Sequence, residues 1–310
     1  MRNTLLLFAK GMAMGAADVV PGVSGGTIAF ISGIYDELLR SIAAVPLALR
    51  QLLRGRVGEA WQTANATFLL VLFGGVLTSI FSLAGLITWL LEYQPIPLWS
   101  FFFGLILVSA WLVARHIPRW NWASLLGLAG GAVFAWWITV AAPVQWGHDP
   151  LSLFLAGAIA ICAMILPGIS GSFLLVLMGL YGFVLDAVRA LDFGVLGLFA
   201  AGCLCGLLSF ARLLTWLLDR ARNLTLTFLT GLMLGSLNKV WPWKETLSWR
   251  IDSHGRQQPL LQGNLSPSGY AEVSGQDPQL LLAVLLALGG VLLVLGLERL
   301  ARGLPAGGRG

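Results

Sequence analysis

Six stretches of this chain are apolar over about the length of a membrane-spanning helix, and no other feature limits its fold as strongly. A helix needs about 20 apolar residues to cross the hydrocarbon core of a bilayer. The whole composition agrees, since 57% of the 310 residues are hydrophobic and only 11% are charged, whereas about a quarter are charged in soluble proteins. We therefore predict an all-α polytopic membrane protein with spans at about 68–91, 98–114, 123–142, 196–218, 224–240 and 280–297.

Two further apolar stretches, at about 10–36 and 151–185, are interrupted by Pro and Gly. Pro removes a backbone hydrogen bond and Gly lets the chain turn, so each stretch predicts a broken, re-entrant helical hairpin. If each hairpin enters and leaves on one side, most arginines between the spans face one compartment, which the positive-inside rule makes the cytoplasm. We therefore expect both termini in the cytoplasm and the loop 241–279 outside, where Trp241, Trp243 and Trp249 suit an interfacial belt.

One five-residue pattern occurs twice, as PGVSG at 21–25 and PGISG at 167–171, and a Gly-x-Tyr sequence follows each copy at the same offset of 146 (167 − 21). Later matches, such as TWLL at 88–91 and 215–218, share an offset of 127 (215 − 88). The chain is therefore interpreted as a duplication, with repeats 1–146 and 147–310 that each hold a broken hairpin and three spans. Since the hairpins begin on opposite faces, the repeats are inverted, an arrangement typical of secondary transporters.

Each hairpin tip has the composition of an anion site. The N–H groups that begin a new helix, a positive helix dipole and nearby hydroxyls favour an anion, and phosphate fits best. The alternative is a tight turn whose glycines serve only helix packing. The candidate phosphate-binding residues are Ser24, Gly25, Gly26, Thr27, Ser170, Gly171 and Ser172, and the turn residues are Pro21, Gly22, Pro167 and Gly168. We expect Ser24 and Ser170 to cap the helices that follow.

Ionisable residues inside apolar segments are further candidates, because a charge is costly in lipid. Arg212 lies six residues before the end of its predicted span and would either contact the phosphate or extend to the cytoplasmic interface. Asp18 would either couple transport to a proton or cation, or cap a helix or pair with Lys10. Lys10 and Arg40 flank the first hairpin, where they would either attract an anionic headgroup or only mark the cytoplasmic side.

The sequence shows no nucleophile elbow, no carboxylate pair within one span and no metal-ligand spacing. We therefore expect no enzyme activity, no catalytic residues, and neither a metal nor a cofactor. The basic residues lie in short segments between apolar runs, a pattern of membrane topology, so nucleic acid is not an expected partner.

The run KGMAMGAADVVPGVSGGTIA at 10–29, followed by Gly33-Ile34-Tyr35, resembles the signature of a bacterial membrane family called PopT. The second half agrees at 166–173 (LPGISGSF), at 212–214 (RLL) and at 235–244 (GSLNKVWPWK). The likeness covers nearly the whole chain except about 245–279. One departure is Gly182, which follows Tyr181 where an acidic residue like Asp36 is expected.

This resemblance implies a polyprenyl-phosphate translocase of the bacterial cytoplasmic (inner) membrane. Such a protein returns undecaprenyl phosphate, the carrier lipid of cell-envelope synthesis, from the outer to the cytoplasmic leaflet. The phosphate would lie between the two hairpin tips while the isoprenoid tail stays in lipid, and the halves would rock to expose it alternately. A proton or cation is a candidate coupling partner. The alternatives are a small-anion transporter or channel and a non-transporting membrane scaffold for envelope synthesis.

Overall fold

The computed structural model describes residues 2–20, 23–251 and 257–302. Within these ranges the chain forms helices joined by short connections, and one two-stranded antiparallel sheet. The elements in chain order are α1 (Arg2–Val19), α2 (Gly25–Ile31), α3 (Tyr35–Leu53), α4 (Val57–Thr63), α5 (Ala66–Tyr93), α6 (Pro95–Ala114), α7 (Trp122–Val140), α8 (Pro150–Ile165), α9 (Gly171–Leu177), α10 (Tyr181–Ala190), α11 (Phe193–Arg220), α12 (Arg222–Ser236), β1 (Lys244–Ile251), β2 (Gln257–Asn264), α13 (Pro267–Ser274) and α14 (Leu280–Arg302).

Four of the described helices, α5, α6, α7 and α11, are long and apolar enough to cross a membrane, and each coincides with a predicted span. The number rises to five if α9 and α10, which meet at a bend of 107°, are counted as one broken span. The predicted span 224–240 is shorter than expected, because α12 ends at Ser236 after 15 residues, about 22 Å at 1.5 Å per residue. The last predicted span lies in α14, whose apolar part is Leu280–Gly296. The chain is therefore a helical polytopic membrane protein.

Both apolar stretches that contain Pro and Gly are interrupted where the sequence predicts a break. The first helix ends at Val19 and α2 begins at Gly25, while α8 ends at Ile165 and α9 begins at Gly171. The predicted turn residues Pro21 and Gly22 lie outside the described residues. In the second break Gly168 has a φ of +89°, the left-handed conformation that glycine adopts without strain.

Two helix pairs pack through glycines at equivalent positions of the two halves. In the pair α1–α5, Gly11 lies against the carbonyl oxygen of Leu72 and Gly75 against that of Phe8. In the pair α8–α11, Gly157 lies against the carbonyl oxygen of Phe199 and Gly202 against that of Phe154. A side chain at any of these glycines would collide with the opposite backbone. Gly157 lies 146 positions after Gly11 (157 − 11), and Gly202 lies 127 positions after Gly75 (202 − 75). These are the two offsets found in the sequence.

Two other helix pairs join the first half of the chain to the second. Helix α6 packs against α14, and α7 packs against α12. Glycines again allow the backbones to approach, and the contacts are Gly104 with the carbonyl oxygen of Ala287, Gly290 with that of Phe101, Gly131 with that of Phe228, and Gly231 with that of Leu128. The helices α6, α7, α12 and α14 therefore form a block that contains elements of both halves.

The loop 241–279 contains the hairpin β1–β2 and α13, which the all-α prediction did not include. The strands pair in a register that runs from Lys244 opposite Asn264 to Ile251 opposite Gln257. Trp243 is 7% exposed and packs with Ile96 of α6 and Ala283 of α14, and its indole N–H donates to the carbonyl oxygen of Pro278 at 2.8 Å. The prediction that Trp243 lies in an interfacial belt is therefore wrong. Its side chain instead attaches the hairpin to α6 and α14.

Its neighbour Trp241 also packs inside the protein, with its ring 5.6 Å from that of Phe103. The indole N–H of Trp241 donates to the carbonyl oxygen of Leu265 at 2.8 Å. Trp249 alone of the three predicted belt residues is largely exposed, at 56%.

Candidate functional site

The two breaks that carry the repeated pattern contact each other directly. The Ser24 hydroxyl lies 3.0 Å from the carbonyl oxygens of both Met164 and Leu166, to which it donates. In the other direction, the Gly168 N–H donates to the Thr27 hydroxyl oxygen at 3.0 Å. Ser24 and Thr27 have no exposed surface. Residues about 140 positions apart in the chain therefore form one buried, hydrogen-bonded contact, which we call the tip contact.

A glycine backbone and a tyrosine side chain complete the tip contact. Gly26 lies against the carbonyl oxygen of Ile165, where a larger residue would collide. The Tyr35 hydroxyl donates to the same carbonyl oxygen at 3.3 Å, and its side chain is 2% exposed. The Gly-x-Tyr sequence that follows the first pattern thus serves the contact between the halves.

The two serines of the repeated pattern have different partners. Ser24 caps α2, as predicted, since its side-chain oxygen accepts a hydrogen bond from the Gly26 N–H at 3.1 Å. Ser170 makes no side-chain cap of α9. Its hydroxyl lies 2.9 Å from that of Ser172, so it is turned away from the backbone N–H groups. The predicted capping role is therefore wrong for Ser170, and its hydroxyl pairs with a neighbour that the first copy lacks.

Asp18 occupies the start of α2, where the sequence placed a bound anion. Its carboxylate accepts a hydrogen bond from the Gly25 N–H at 2.7 Å. Lys10 contacts a different partner, because its ammonium donates to the carbonyl oxygen of Ser32 at 2.7 Å. Of the alternatives for Asp18, this geometry supports the role of a helix cap. The Asp18 carboxylate thus occupies the first tip in place of a bound anion.

The second tip faces a small cavity of about 10 Å³, enough for about one water molecule. Residues of the turn, of α7 and of the segment after α12 line it, namely Ala135, Ile138, Thr139, Gly168, Ile169, Ser170, Phe173 and Lys239. Lys239 is not among the candidate site residues that the sequence indicated. An ionisable residue at the end of an apolar run was the signal that could have identified it.

Arg212 and Arg40 contact neither tip in the described structure. The Arg212 guanidinium donates to the carbonyl oxygen of Ala43 at 3.4 Å, which joins α11 to α3. Arg40 forms an exposed ion pair with Asp219, also between α3 and α11. A third link joins Asp36 of α3 to Arg222 of α12 at 3.2 Å. These side chains connect α3 to the second half of the chain, beside an open groove of about 520 Å³ that Arg40 lines.

Residues 14–258 match the model of a family described as VCA0040-like, undecaprenyl phosphate translocase-like. This match includes both tips and well over half of the chain. The chain belongs to this family. A polyprenyl-phosphate transporter of Vibrio cholerae serotype O1 is 55% identical to it over 300 residues, which are 96% of this chain and 97% of that protein. A polyprenyl-phosphate transporter of Staphylococcus aureus is 32% identical over 251 residues, 75% of this chain and 84% of that protein. No solved structure matches the chain.

The family resemblance found in the sequence is therefore confirmed. The matched residues cover most of the first half and continue to residue 258 in the second. They contain the tip contact, the cavity and part of the hairpin β1–β2. The family match and the apolar helices together describe a multi-pass membrane protein whose curated relatives are named as transporters.

Proposed function

We propose that this protein is a polyprenyl-phosphate translocase of the bacterial cytoplasmic membrane. It would return undecaprenyl phosphate from the outer to the cytoplasmic leaflet, with no covalent change to the lipid and with both termini of the protein in the cytoplasm. The observation that carries this proposal is the tip contact, in which two broken helices of a membrane protein place hydroxyl and N–H groups together among buried residues. The names of the family and of the two relatives supply the substrate class.

The barrier to this transport is the phosphate charge, which is costly to move through hydrocarbon. Donors at the tips would replace the water that the phosphate loses. In the described conformation these donors are used within the protein, since Ser24 donates to two carbonyl oxygens and the Gly168 N–H donates to Thr27. Separation of the tips would release them to phosphate oxygens, with further donors from Gly25, Gly26, Gly171 and the Ser170–Ser172 hydroxyls.

We further propose that the two halves are inverted repeats that move by alternating access. The equivalent glycine contacts in α1–α5 and α8–α11 support the duplication. Since the pairs α6–α14 and α7–α12 join the halves, each half cannot rock as a unit. Two bodies would move. One is the pair of α1 and α5 and the other is the pair of α8 and α11, each with its broken hairpin, and both would move against the block of α6, α7, α12 and α14.

The predicted cytoplasmic side contains the links from α3 to α11 and α12. Arg212 and Arg40 lie among these links, so we place them where the phosphate would leave the protein rather than at the tips. Lys10 and Asp18 lie on the first hairpin, and Asp18 remains the candidate for coupling to a proton or cation if its bond to Gly25 opens during transport.

The proposal is tested by flipping of a labelled polyprenyl phosphate in proteoliposomes. Unchanged protein is compared with the double variant Ser24→Ala/Ser170→Ala and with Ser209→Ala, an exposed serine inside α11 whose hydroxyl bonds only the carbonyl oxygens of its own helix. We expect saturable flipping that the double variant loses and Ser209→Ala keeps. Flux of inorganic phosphate without lipid flipping would instead indicate a small-anion transporter, and absence of both would favour a scaffold.

A further inference from the structure

Two lysines lie side by side next to the second tip, without a carboxylate partner. The Lys244 ammonium donates to the carbonyl oxygen of Lys239 at 2.6 Å. It also lies 4.0 Å from the ring centroid of Trp99, and the Lys239 ammonium lies 4.4 Å from that of Phe173. Across the described residues, the ion pairs within 4.0 Å all involve arginines and none includes either lysine.

This arrangement is costly unless an anion joins it. Both lysines are half-buried, and the hairpin β1–β2 that carries Lys244 is fixed on α6 and α14 by Trp243. Burial and the neighbouring charge of Lys239 lower the pKa of Lys244 well below its usual value. An aromatic face holds an ammonium less strongly than a charge-assisted hydrogen bond to phosphate does. An anion that bound here would therefore replace the two ring contacts with stronger hydrogen bonds.

Neutral donors surround the same place. The Asn238 side-chain amide donates to the Thr139 hydroxyl oxygen at 2.7 Å, and the cavity between Thr139 and Lys239 is also lined by Ser170. Its volume of about 10 Å³ is too small for a phosphate group, so entry of phosphate would require the second tip to move. The cavity thus links the lysines to the hydroxyls of the repeated pattern.

The lysine pair exists in one half only. At the offset of 127, Lys239 and Lys244 correspond to Leu112 (239 − 127) and Ile117 (244 − 127). These two residues are apolar and only 4% and 6% exposed. The first half therefore has two buried apolar side chains at the positions where the second half has the lysine pair.

We propose that Lys239 and Lys244, assisted by Asn238 and Thr139, form an entry site that binds the phosphate group of the substrate on the external side before it reaches the tips. This inference rests on the proposed function for its substrate and its direction. The ligand chemistry is a phosphate monoester at the end of a lipid, or free phosphate. Because the first half lacks the pair, the entry side would bind phosphate more tightly than the exit side, while the direction of net transport would still be set by the lipid gradient or a coupling ion.

The test is binding to the purified full chain in detergent, with three probes: a short-chain polyprenyl monophosphate, inorganic phosphate and the polyprenol without phosphate. The variants are Lys239→Met and Lys244→Met. The control is Arg189→Gln, which removes one positive charge from an exposed ion pair on the same predicted side. We expect each Met variant to weaken binding of the monophosphate about 10- to 100-fold, the loss of one charge-assisted hydrogen bond, and the control to leave it unchanged.

Stability without ligand separates this role from a structural one. Removal of a desolvated, unpaired charge should leave the unfolding temperature of Lys239→Met unchanged or raised. A structural role for the lysine would lower that temperature and leave the affinity unchanged, which would overturn the proposal.

A second measurement needs no variant. The chain has three lysines, so labelling by an amine reagent can be followed separately at Lys239 and Lys244, with the same reaction in the absence of ligand as the reference. We expect the monophosphate, but not the polyprenol, to protect the pair, and equal labelling with and without it would overturn the site. Equal protection by inorganic phosphate at the same concentration would support a phosphate site and overturn its assignment to the lipid.

The outcomes for the two proposals are distinct. Flipping by the unchanged protein that persists in both Met variants would overturn the entry site and leave the translocase intact. Lysine-dependent binding of phosphate without any lipid flipping would support the site and overturn the translocase.

Discussion

Ser24→Ala should destabilise the protein much more than Ser170→Ala, although the two serines occupy equivalent places in the repeated pattern. Loss of the Ser24 cap on α2 costs about 1 kcal/mol. Loss of the hydrogen that Ser24 shares between the carbonyl oxygens of Met164 and Leu166 removes the part-buried hydrogen bonds from the first tip to the second, at about 1–3 kcal/mol. The sum is about 2–4 kcal/mol. Ser170→Ala removes only the bond to Ser172, about 0.5–1.5 kcal/mol.

The assay is reversible unfolding in mixed detergent micelles, followed by the fluorescence of the 13 tryptophans. Both variants and the unchanged protein are measured under one detergent composition, so that the difference in unfolding free energy between the serines is the quantity compared. The two costs predict a difference of about 0.5–3.5 kcal/mol between the variants. Values for the two variants that agree within about 0.5 kcal/mol would refute the unequal roles assigned to the tips.

Three further predictions use the same unfolding assay. Gly11→Ala and Gly157→Ala should each destabilise the protein by about 1–3 kcal/mol, because the added methyl group meets an opposing carbonyl oxygen. The control is Gly85→Ala, inside α5 with open space around it, which should stabilise the protein by about 0.5–1 kcal/mol. Thr27→Val should cost about 1–3 kcal/mol, since it leaves a buried N–H of the second tip without an acceptor, and a neutral result would remove that bond from the argument. Asp18→Asn should cost about 0.3–1 kcal/mol through the lost charge at the start of α2. Loss of a pH response of flipping that the unchanged protein shows would make Asp18 the coupling residue, and an unaltered pH response would leave it only the cap.

Local features of the fold could be predicted from the sequence. Apolar runs of about 20 residues predicted α5, α6, α7 and α11, because length and hydropathy alone decide whether a helix fits a bilayer. The break before Gly25 and the cap by Ser24 were also predictable, since Pro, Gly and Ser act on the neighbouring backbone.

Features that depend on distant contacts could not be predicted in this way. The pattern shows that two tips exist, but not that Ser24 bonds carbonyl groups 140 residues away. Ser170 resembles Ser24 in sequence, yet a hydroxyl two residues later decides its partner. Lys239 and Lys244 look like ordinary loop charges until the chain folds β1–β2 over α6 and brings them together.

The exchange of helix partners between the halves has a consequence for biosynthesis. Helices α6 and α7 are made long before α12 and α14, the partners whose backbones their glycines approach. Synthesis must therefore pass through α7 to α13 before Gly104 can meet Ala287. The bundle would stay incomplete until the last helix is inserted, and a chain that stops before Leu280 would leave the face of α6 that packs against α14 uncovered and open to quality-control proteolysis.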